Sequence, residues 1–140
     1  MNRLFELPAA RARDPAIDAW WLAHPGELGA IARRWFDVMR GCGDDVRELL
    51  HDRQPTACVG VAAFGYVDVF TRHVDIGFYR GAEIADPARL LRGTGRYMRH
   101  VKLGPGRHVA DDALAQLIAT AYADMKKRLP GGQPGQGRRT

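Results

Sequence analysis

The chain has 140 residues, of which 46% are hydrophobic and 26% charged, and it carries a formal net charge of +5. This composition is typical of a globular protein and excludes disorder of the whole chain, while the length favours one domain that needs no metal or disulfide staple. The two cysteines are too few for a disulfide scaffold and suit a reducing compartment. The beginning of the chain lacks the apolar core of a secretory signal, and no stretch approaches the roughly 18 apolar residues of a membrane span, so we expect a cytoplasmic protein.

The first part of the chain has the pattern of two helices. Asp14-Pro15 is typical of a helix start, because aspartate caps the helix end and proline fits the first helical position. This helix should end before His24-Pro25, since the residue before a proline avoids the helical conformation. In the second helix, which Gly41 ends, apolar residues recur every three or four positions. This stripe consists of Leu28, Ile31, Trp35 and Met39.

A third, short helix is predicted over Asp44–His51, because two aspartates favour its N-terminus and Leu49-Leu50 provide an inner side. The chain then becomes rich in valine and aromatic residues, separated by polar pairs and turn-forming residues. This pattern predicts three strands, at Ala57–Ala63, Tyr66–Thr71 and Val74–Tyr79. Their short connections favour an antiparallel meander over parallel crossovers.

The second half of the chain adds two helices and a strand. Asp86-Pro87 predicts the start of a short helix, and Tyr97–Leu103 predicts a further strand. From Leu114 to Leu129 apolar residues follow helical spacing, with acidic residues at the start and basic residues at the end, as the helix dipole favours. Pro130–Thr140 has no apolar anchor and predicts a disordered basic tail.

These elements predict an α+β fold. An antiparallel β-sheet would carry the N-terminal helices and the long C-terminal helix on one face, and its opposite face would be comparatively open. Residues 1–129 would form this single domain, and residues 130–140 would form the tail.

Three segments of the sequence resemble one protein family. His51–Gly60 reads HDRQPTACVG, Phe64–Pro87 reads FGYVDVFTRHVDIGFYRGAEIADP, and Leu90–Leu103 reads LLRGTGRYMRHVKL. This succession is similar to the YdhG-like domain family, and the resemblance extends from about Leu28 to Leu129. The chain has Arg96 where the family usually has lysine and Asp75 where asparagine is common.

The resemblance implies a fold similar to frataxin, and one class of members is linked to iron delivery as a frataxin-like chaperone. Frataxin-type iron binding depends on a ridge of acidic residues along the first helix. Here the acidic residues of the first helices are scattered and accompanied by arginines. They are Asp18, Glu27 and Asp37, beside Arg33, Arg34 and Arg40.

A basic segment provides the first candidate site. Pro87–Ala110 contains no acidic residue, but it contains Arg89, Arg92, Arg96, Arg99, Lys102 and Arg107 together with two histidines. Glycines beside arginine can form a main-chain nest for an anion, although the segment matches neither a Walker loop nor a dinucleotide fingerprint. The alternative is a turn with positive φ angles next to a solvated strand. The predicted anion- or partner-binding residues are Gly93, Thr94, Gly95, Arg96, Arg99, His100 and Lys102.

Strand alternation divides this segment between two faces. Arg99 lies on the same side as Val101 and Leu103, so we expect it to be partly buried and paired with Asp75 or Asp68. His100 and Lys102 lie on the other side.

The histidines provide the second candidate site. Imidazole and carboxylate groups suit iron, zinc or manganese, and a compact sheet could gather them from three elements. No pair of histidines has a local metal-binding spacing, which favours surface or hydrogen-bonding roles instead. The predicted metal ligands are His51, Asp52, His73, Asp75 and His100.

The leading hypothesis is a non-enzymatic binding module for an anionic small molecule or an acidic protein partner, with no resident cofactor. The absence of serine from the sequence excludes a serine nucleophile, and neither cysteine has a catalytic signature around it. The alternative is an iron chaperone that uses histidine and aspartate side chains. Nucleic-acid binding through the basic strand and Arg138-Arg139 is a weaker third hypothesis, because the first 43 residues hold six Lys/Arg against five Asp/Glu and the protein is not basic throughout.

Overall fold

The computed structural model describes residues 4–130 of the chain. Nearly all of the predicted tail, residues 131–140, therefore lies outside the described residues. The described part contains three α-helices and five β-strands, in the order α1 Pro15–Ala23, α2 Glu27–Arg40, β1 Val46–His51, β2 Gln54–Val59, β3 Ala62–Val69, β4 Val74–Phe78, β5 Arg99–Leu103 and α3 Asp111–Arg128.

The strands form one antiparallel sheet in sequence order, β1-β2-β3-β4-β5, which confirms the predicted α+β class. A two-residue turn connects β1 to β2, and its residues Asp52 and Arg53 have φ angles of 53° and 66°. Two positive φ angles match the twist of a tight hairpin, so this turn fixes the register of the two strands. A β-bulge between Ala57 and Cys58 then shifts the pairing of β2 with β3.

All three helices pack on one face of the sheet. Their buried side chains join those of the strands in one hydrophobic cluster, whose fully buried members include Phe36, Met39, Phe64, Val67, Ile76, Leu114, Ile118 and Met125. At Gly65 of β3, an added Cβ atom would lie 3.0 Å from the Met39 side chain of α2, so the helix packs tightly on the sheet there. The predicted helices α1, α2 and α3 are confirmed, including the cap of α1, where Ala16 N donates to the Asp14 carboxylate.

The N-terminal segment, residues 4–13, covers half of the opposite face. Its main chain pairs with the start of β3, where Ala63 N donates to Phe5 O at 2.9 Å, and with the free edge of β1, where Arg11 and Glu48 exchange two hydrogen bonds. This segment buries a second small core made of Leu7, Ala10, Leu49, Cys58, Ala63 and Tyr79. The expectation of an open face therefore holds only over β3, β4 and β5.

The predicted helix at Asp44–His51 is wrong, because this segment forms β1. Leu49 and Leu50 suggest a helix because both are apolar, yet a strand buries both when each of its faces is covered. Leu50 packs against the helix-side core and Leu49 against the N-terminal segment. The predicted strand Ala57–Ala63 also fails, because it crosses the turn at Gly60-Val61.

The predicted short helix after Asp86 is also wrong. The Asp86 carboxylate accepts hydrogen bonds from Leu90 N and Leu91 N, both at 2.9 Å. An aspartate side chain that occupies these N–H groups competes with helix formation, so the segment becomes a loop. Arg89 lies within this loop at a φ of 57°, and a short 3₁₀ turn at Gly81–Glu83 precedes it.

A buried polar network connects the N-terminal segment to both layers. Glu48 is only 4% exposed, forms an ion pair with Arg40 Nε at 2.9 Å and accepts a hydrogen bond from Asp14 N at 2.9 Å. The Asp14 carboxylate in turn accepts from Leu50 N at 2.8 Å. These bonds join α1, α2 and β1 at one point, and they satisfy a carboxylate that would be costly to bury unpaired.

Replacement of Glu48 by alanine should destabilise the protein. Removing one partner of a buried ion pair costs roughly 3–5 kcal/mol, but Arg40 also donates to two main-chain oxygens, so we expect about 2 kcal/mol. Urea unfolding measures the loss. The matched control is Asp18→Ala, which removes an exposed pair with Arg13 and should cost about 0.5 kcal/mol or less. Equal losses in the two variants would contradict the importance of this network.

The stability of the fold should depend on pH through Asp14. Burial raises the pKa of this carboxyl, but the hydrogen bonds from Leu50, Ala16 and Arg11 outweigh burial and lower the pKa below its usual value. Because the pKa is lower in the folded state, its contribution is present above about pH 4 and is lost as the pH falls through the folded-state pKa. Asp14→Asn should therefore reduce the change in the free energy of unfolding between about pH 5 and pH 2. Urea unfolding across this range tests the expectation, and an unchanged pH dependence in the variant would contradict it.

Candidate anion-binding site

The outer edge of β5 is covered only at its two ends. At one end Arg92 N donates to His100 O at 2.7 Å, and His100 N donates to Arg92 O at 2.9 Å. At the other end Arg107 N donates to Gly104 O at 2.9 Å. Main-chain groups of alternate residues along a strand point to the same side, so the N–H and C=O of Lys102 point outward between these two bridges.

Two loops flank this gap. The loop that precedes β5 carries Arg89 and Arg92, and the Asp86 carboxylate holds it in place. The loop that follows β5 turns back at Gly104 and Gly106, which have φ angles of 144° and 75°. A side chain at Gly104 would also meet Arg72 O, since an added Cβ atom would lie 2.9 Å from it. Glycine is therefore required at Gly104, and the turn directs Arg107 back along β5.

The gap and the two loops enclose a cavity of about 300 Å³, which we call the basic notch. Its lining contains no acidic side chain, and its floor is apolar through Leu90, Val101 and Val109. Its cationic lining consists of Arg89, Arg92, Lys102 and Arg107, next to His108. None of the three arginines forms an ion pair with a described residue.

The glycine-containing turn predicted as the centre of the site lies outside this cavity. Gly93 has a φ of 117°, as a turn glycine can, and Thr94 and Gly95 are exposed. The Arg96 guanidinium lies 5.4 Å from the centre of the Tyr97 ring. The Arg99 guanidinium donates to the main-chain oxygens of Gly95 and Met98, so it braces the turn itself.

The predicted pairing of Arg99 with Asp75 or Asp68 is therefore wrong. Arg99 lies on the helix side of the sheet, whereas both aspartates belong to the opposite face, where Asp75 pairs with Lys102 across the strands. Side chains on opposite faces of a strand do not meet. Main-chain oxygens provide the acceptors that Arg99 requires.

Lys102 and His100 lie on the open face beside a buried carboxylate. Asp75 Oδ1 is 3.7 Å from Lys102 Nζ and 3.2 Å from His73 Nε2, and these ionic contacts lack hydrogen-bond alignment. Lys102 Nζ also lies 3.2 Å from His73 Nε2. Burial lowers the pKa of His100 against the opposing effect of Asp75, and the charges of Lys102 and Arg92 lower it further. His100 is therefore neutral near pH 7.

The predicted metal ligands do not gather at one place. His51 lies on β1 and contacts the Phe5 ring edge-on, with 5.3 Å between ring centres, and Asp52 lies in the β1–β2 turn. His73, Asp75 and His100 lie on the open face at the opposite end of the sheet, near β4 and β5. Within residues 4–130, no three histidine, cysteine, aspartate or glutamate side chains are placed to hold a metal ion.

The two thiols are poor nucleophiles in this environment. Burial raises the pKa of Cys58 to about 12, and it also raises the pKa of the half-buried Cys42. Both cysteines are therefore protonated near pH 7.

The predicted site thus missed Arg89, Arg92, Arg107 and His108. The signal for them was the acid-free window Pro87–Ala110, which contains all four. Their grouping depends on how two loops fold back along β5, and residue spacing alone does not reveal that.

No protein-family model, curated protein or solved structure matches this chain. None of the helices in the described part of the chain is long and apolar enough to cross a membrane.

Replacement of Lys102 by methionine should raise the pKa of His100. The change removes a positive charge beside the imidazole and leaves the Asp75 carboxylate less neutralised, and both effects favour the protonated ring. The imidazole proton shifts measured by NMR between about pH 4 and pH 9 report this pKa. Lys126→Met is the control, because Lys126 pairs with Asp45 at 3.1 Å, away from His100. A lowered pKa in the Lys102 variant would contradict the described arrangement.

Proposed function

We propose that this protein is a non-enzymatic binding module that holds an anionic small molecule in the basic notch. The observation that carries this proposal is a cavity lined by Arg89, Arg92, Arg107 and Lys102 and by no acidic residue. Three of those side chains are arginines without an ionic partner among the described residues. These neighbouring positive charges repel one another, and a bound anion relieves the repulsion.

The walls of the notch strengthen this attraction. Leu90, Val101 and Val109 form an apolar floor, which keeps water away from one side of a bound ligand. Arginine presents two parallel N–H groups that match the oxygens of phosphate and carboxylate. The cavity volume of about 300 Å³ is at the lower end of the range of small-molecule sites.

The size of the gap favours a small molecule over an acidic protein. A peptide that adds a strand to a sheet requires several consecutive outward main-chain groups on the edge. On β5 the bridges at His100 and Gly104 leave only the groups of Lys102 between them. An acidic protein surface would therefore contact the rim arginines without using this edge.

A binding role without catalysis is supported by the thiols. Cys42 and Cys58 both have raised pKa values, and Cys58 is buried on the far side of the sheet from the notch. The iron-chaperone alternative has no comparable support, because the predicted ligands are divided between the β1 end and the β4–β5 end of the sheet.

We also propose that the chain belongs to the YdhG-like domain family and acts in the cytoplasm. Family membership is supported by the GTGR-YMRHVKL segment and by the order of the elements: two helices, an antiparallel meander, a strand and a long helix. The cytoplasmic location is supported by the two free cysteines, since free thiols persist in a reducing compartment.

Titration of ¹⁵N-labelled protein with inorganic phosphate and with acetate tests the proposed binding site. We expect the amides of residues 89–92 and 100–108 to shift most. Arg92→Ala combined with Arg107→Ala should weaken phosphate binding at least tenfold, because two charge-assisted contacts are lost.

Arg47→Ala is the matched control, because Arg47 is an exposed arginine on β1, far along the sheet, and this variant should bind as the parent does. Unchanged amide shifts in the parent at millimolar concentrations of every anion would overturn the proposed function. If Arg47→Ala weakened phosphate binding as much as the double variant does, binding would depend on the net charge of the protein and not on the notch, which would contradict the proposal. Binding of an acidic protein, but of no small anion, would favour the other partner class.

A further inference from the structure

The main chain of Lys102 gives the basic notch a donor of its own. The main-chain groups of His100 and Gly104 point away from β4 and pair with Arg92 and Arg107. By strand alternation, the N–H of Lys102 also points away from β4. Lys102 lines the notch. An outward N–H group on a sheet edge can donate a hydrogen bond to a ligand.

The ammonium group of the same residue is already engaged on the open face. Lys102 Nζ lies 3.2 Å from His73 Nε2 and 3.7 Å from the Asp75 carboxylate, which is nearly buried and has few other donors. Drawing this ammonium into the notch would leave the buried carboxylate less well paired, at a considerable cost. The group that Lys102 can offer to the notch without breaking these contacts is its main-chain N–H.

The charge of the notch then comes from its three arginines, since Asp75 balances Lys102. A carboxylate would neutralise one of these three charges, whereas a dianion neutralises two. The oxygens of a phosphate group also point in several directions, so they can accept from arginines on both flanking loops and from the strand at once. The two oxygens of a carboxylate lie in one plane and suit a single guanidinium.

We propose that the ligand of the basic notch is a small phosphate compound that carries a terminal phosphate dianion. The main-chain N–H of Lys102 binds this phosphate together with Arg92 and Arg107, and the rest of the ligand extends toward solvent. This inference rests on the proposed function, because it specifies which anion the notch selects and how β5 takes part.

Amide hydrogen exchange measured by NMR tests the role of the main chain, with inorganic phosphate as the probe at about pH 8, where the dianion dominates. In the free protein the Lys102 amide should exchange faster than the amide of Val101, which points toward β4. Saturating phosphate should slow exchange of the Lys102 amide at least tenfold and leave that of Val101 nearly unchanged. In the Arg92→Ala, Arg107→Ala variant this protection should be lost, whereas Arg47→Ala should retain it.

Calorimetry at constant ionic strength tests the ligand class. Phosphate should bind at least tenfold more tightly than acetate, because it neutralises one more charge and reaches more donors. Equal affinities for phosphate and acetate would overturn the phosphate assignment. Phosphate binding without protection of Lys102, or with equal protection of Val101, would overturn the role of the amide. In both cases the proposed function would stand, whereas the absence of binding by either anion would overturn the proposed function itself.

Discussion

The fold depends on one buried carboxylate, that of Glu48. It faces the helix layer from β1, forms an ion pair with Arg40 of α2, and accepts a hydrogen bond from the main chain just before α1. A buried charge of this kind is stable only when its partners are in place, so the first 50 residues of the chain are arranged around it. Through the main chain of the same residue, the N-terminal segment is also attached to the edge of the sheet. One glutamate thus connects the N-terminal segment, both N-terminal helices and the sheet.

Much of the architecture follows from the sequence where one physical signal dominates. α2 and α3 each have a single apolar stripe, since each is solvated on the other side, and α1 has an aspartate-proline start. The sequence pattern does not predict β1 as a strand, because the N-terminal segment covers its second face. Its apolar residues therefore do not alternate with polar ones. The loop after Asp86 is not predicted either. The Asp86 side chain, which would cap a helix, instead accepts hydrogen bonds from the amides of Leu90 and Leu91.

The candidate site could be predicted only in part, for a related reason. The absence of acidic residues from Pro87–Ala110 is visible in the sequence, and it marks the correct segment. Which cations face one another depends on two bridges at the ends of β5, and bridges of single residues have no sequence pattern. Arg99 illustrates the consequence, because its charge is prominent in the sequence but is used to hold a turn through main-chain oxygens.

The cover over the second core has a consequence for the order of events during synthesis. Residues 4–13 leave the ribosome before the strands that they pair with, because their main-chain partners lie on β1, in the β2–β3 turn and at the start of β3. The segment therefore has no strand to pair with until β1, which begins at Val46, has emerged, and Phe5 and Leu7 meet water during that interval. Residues 4–13 are consequently made before β1, β2 and β3 but reach their final position only after these strands have formed.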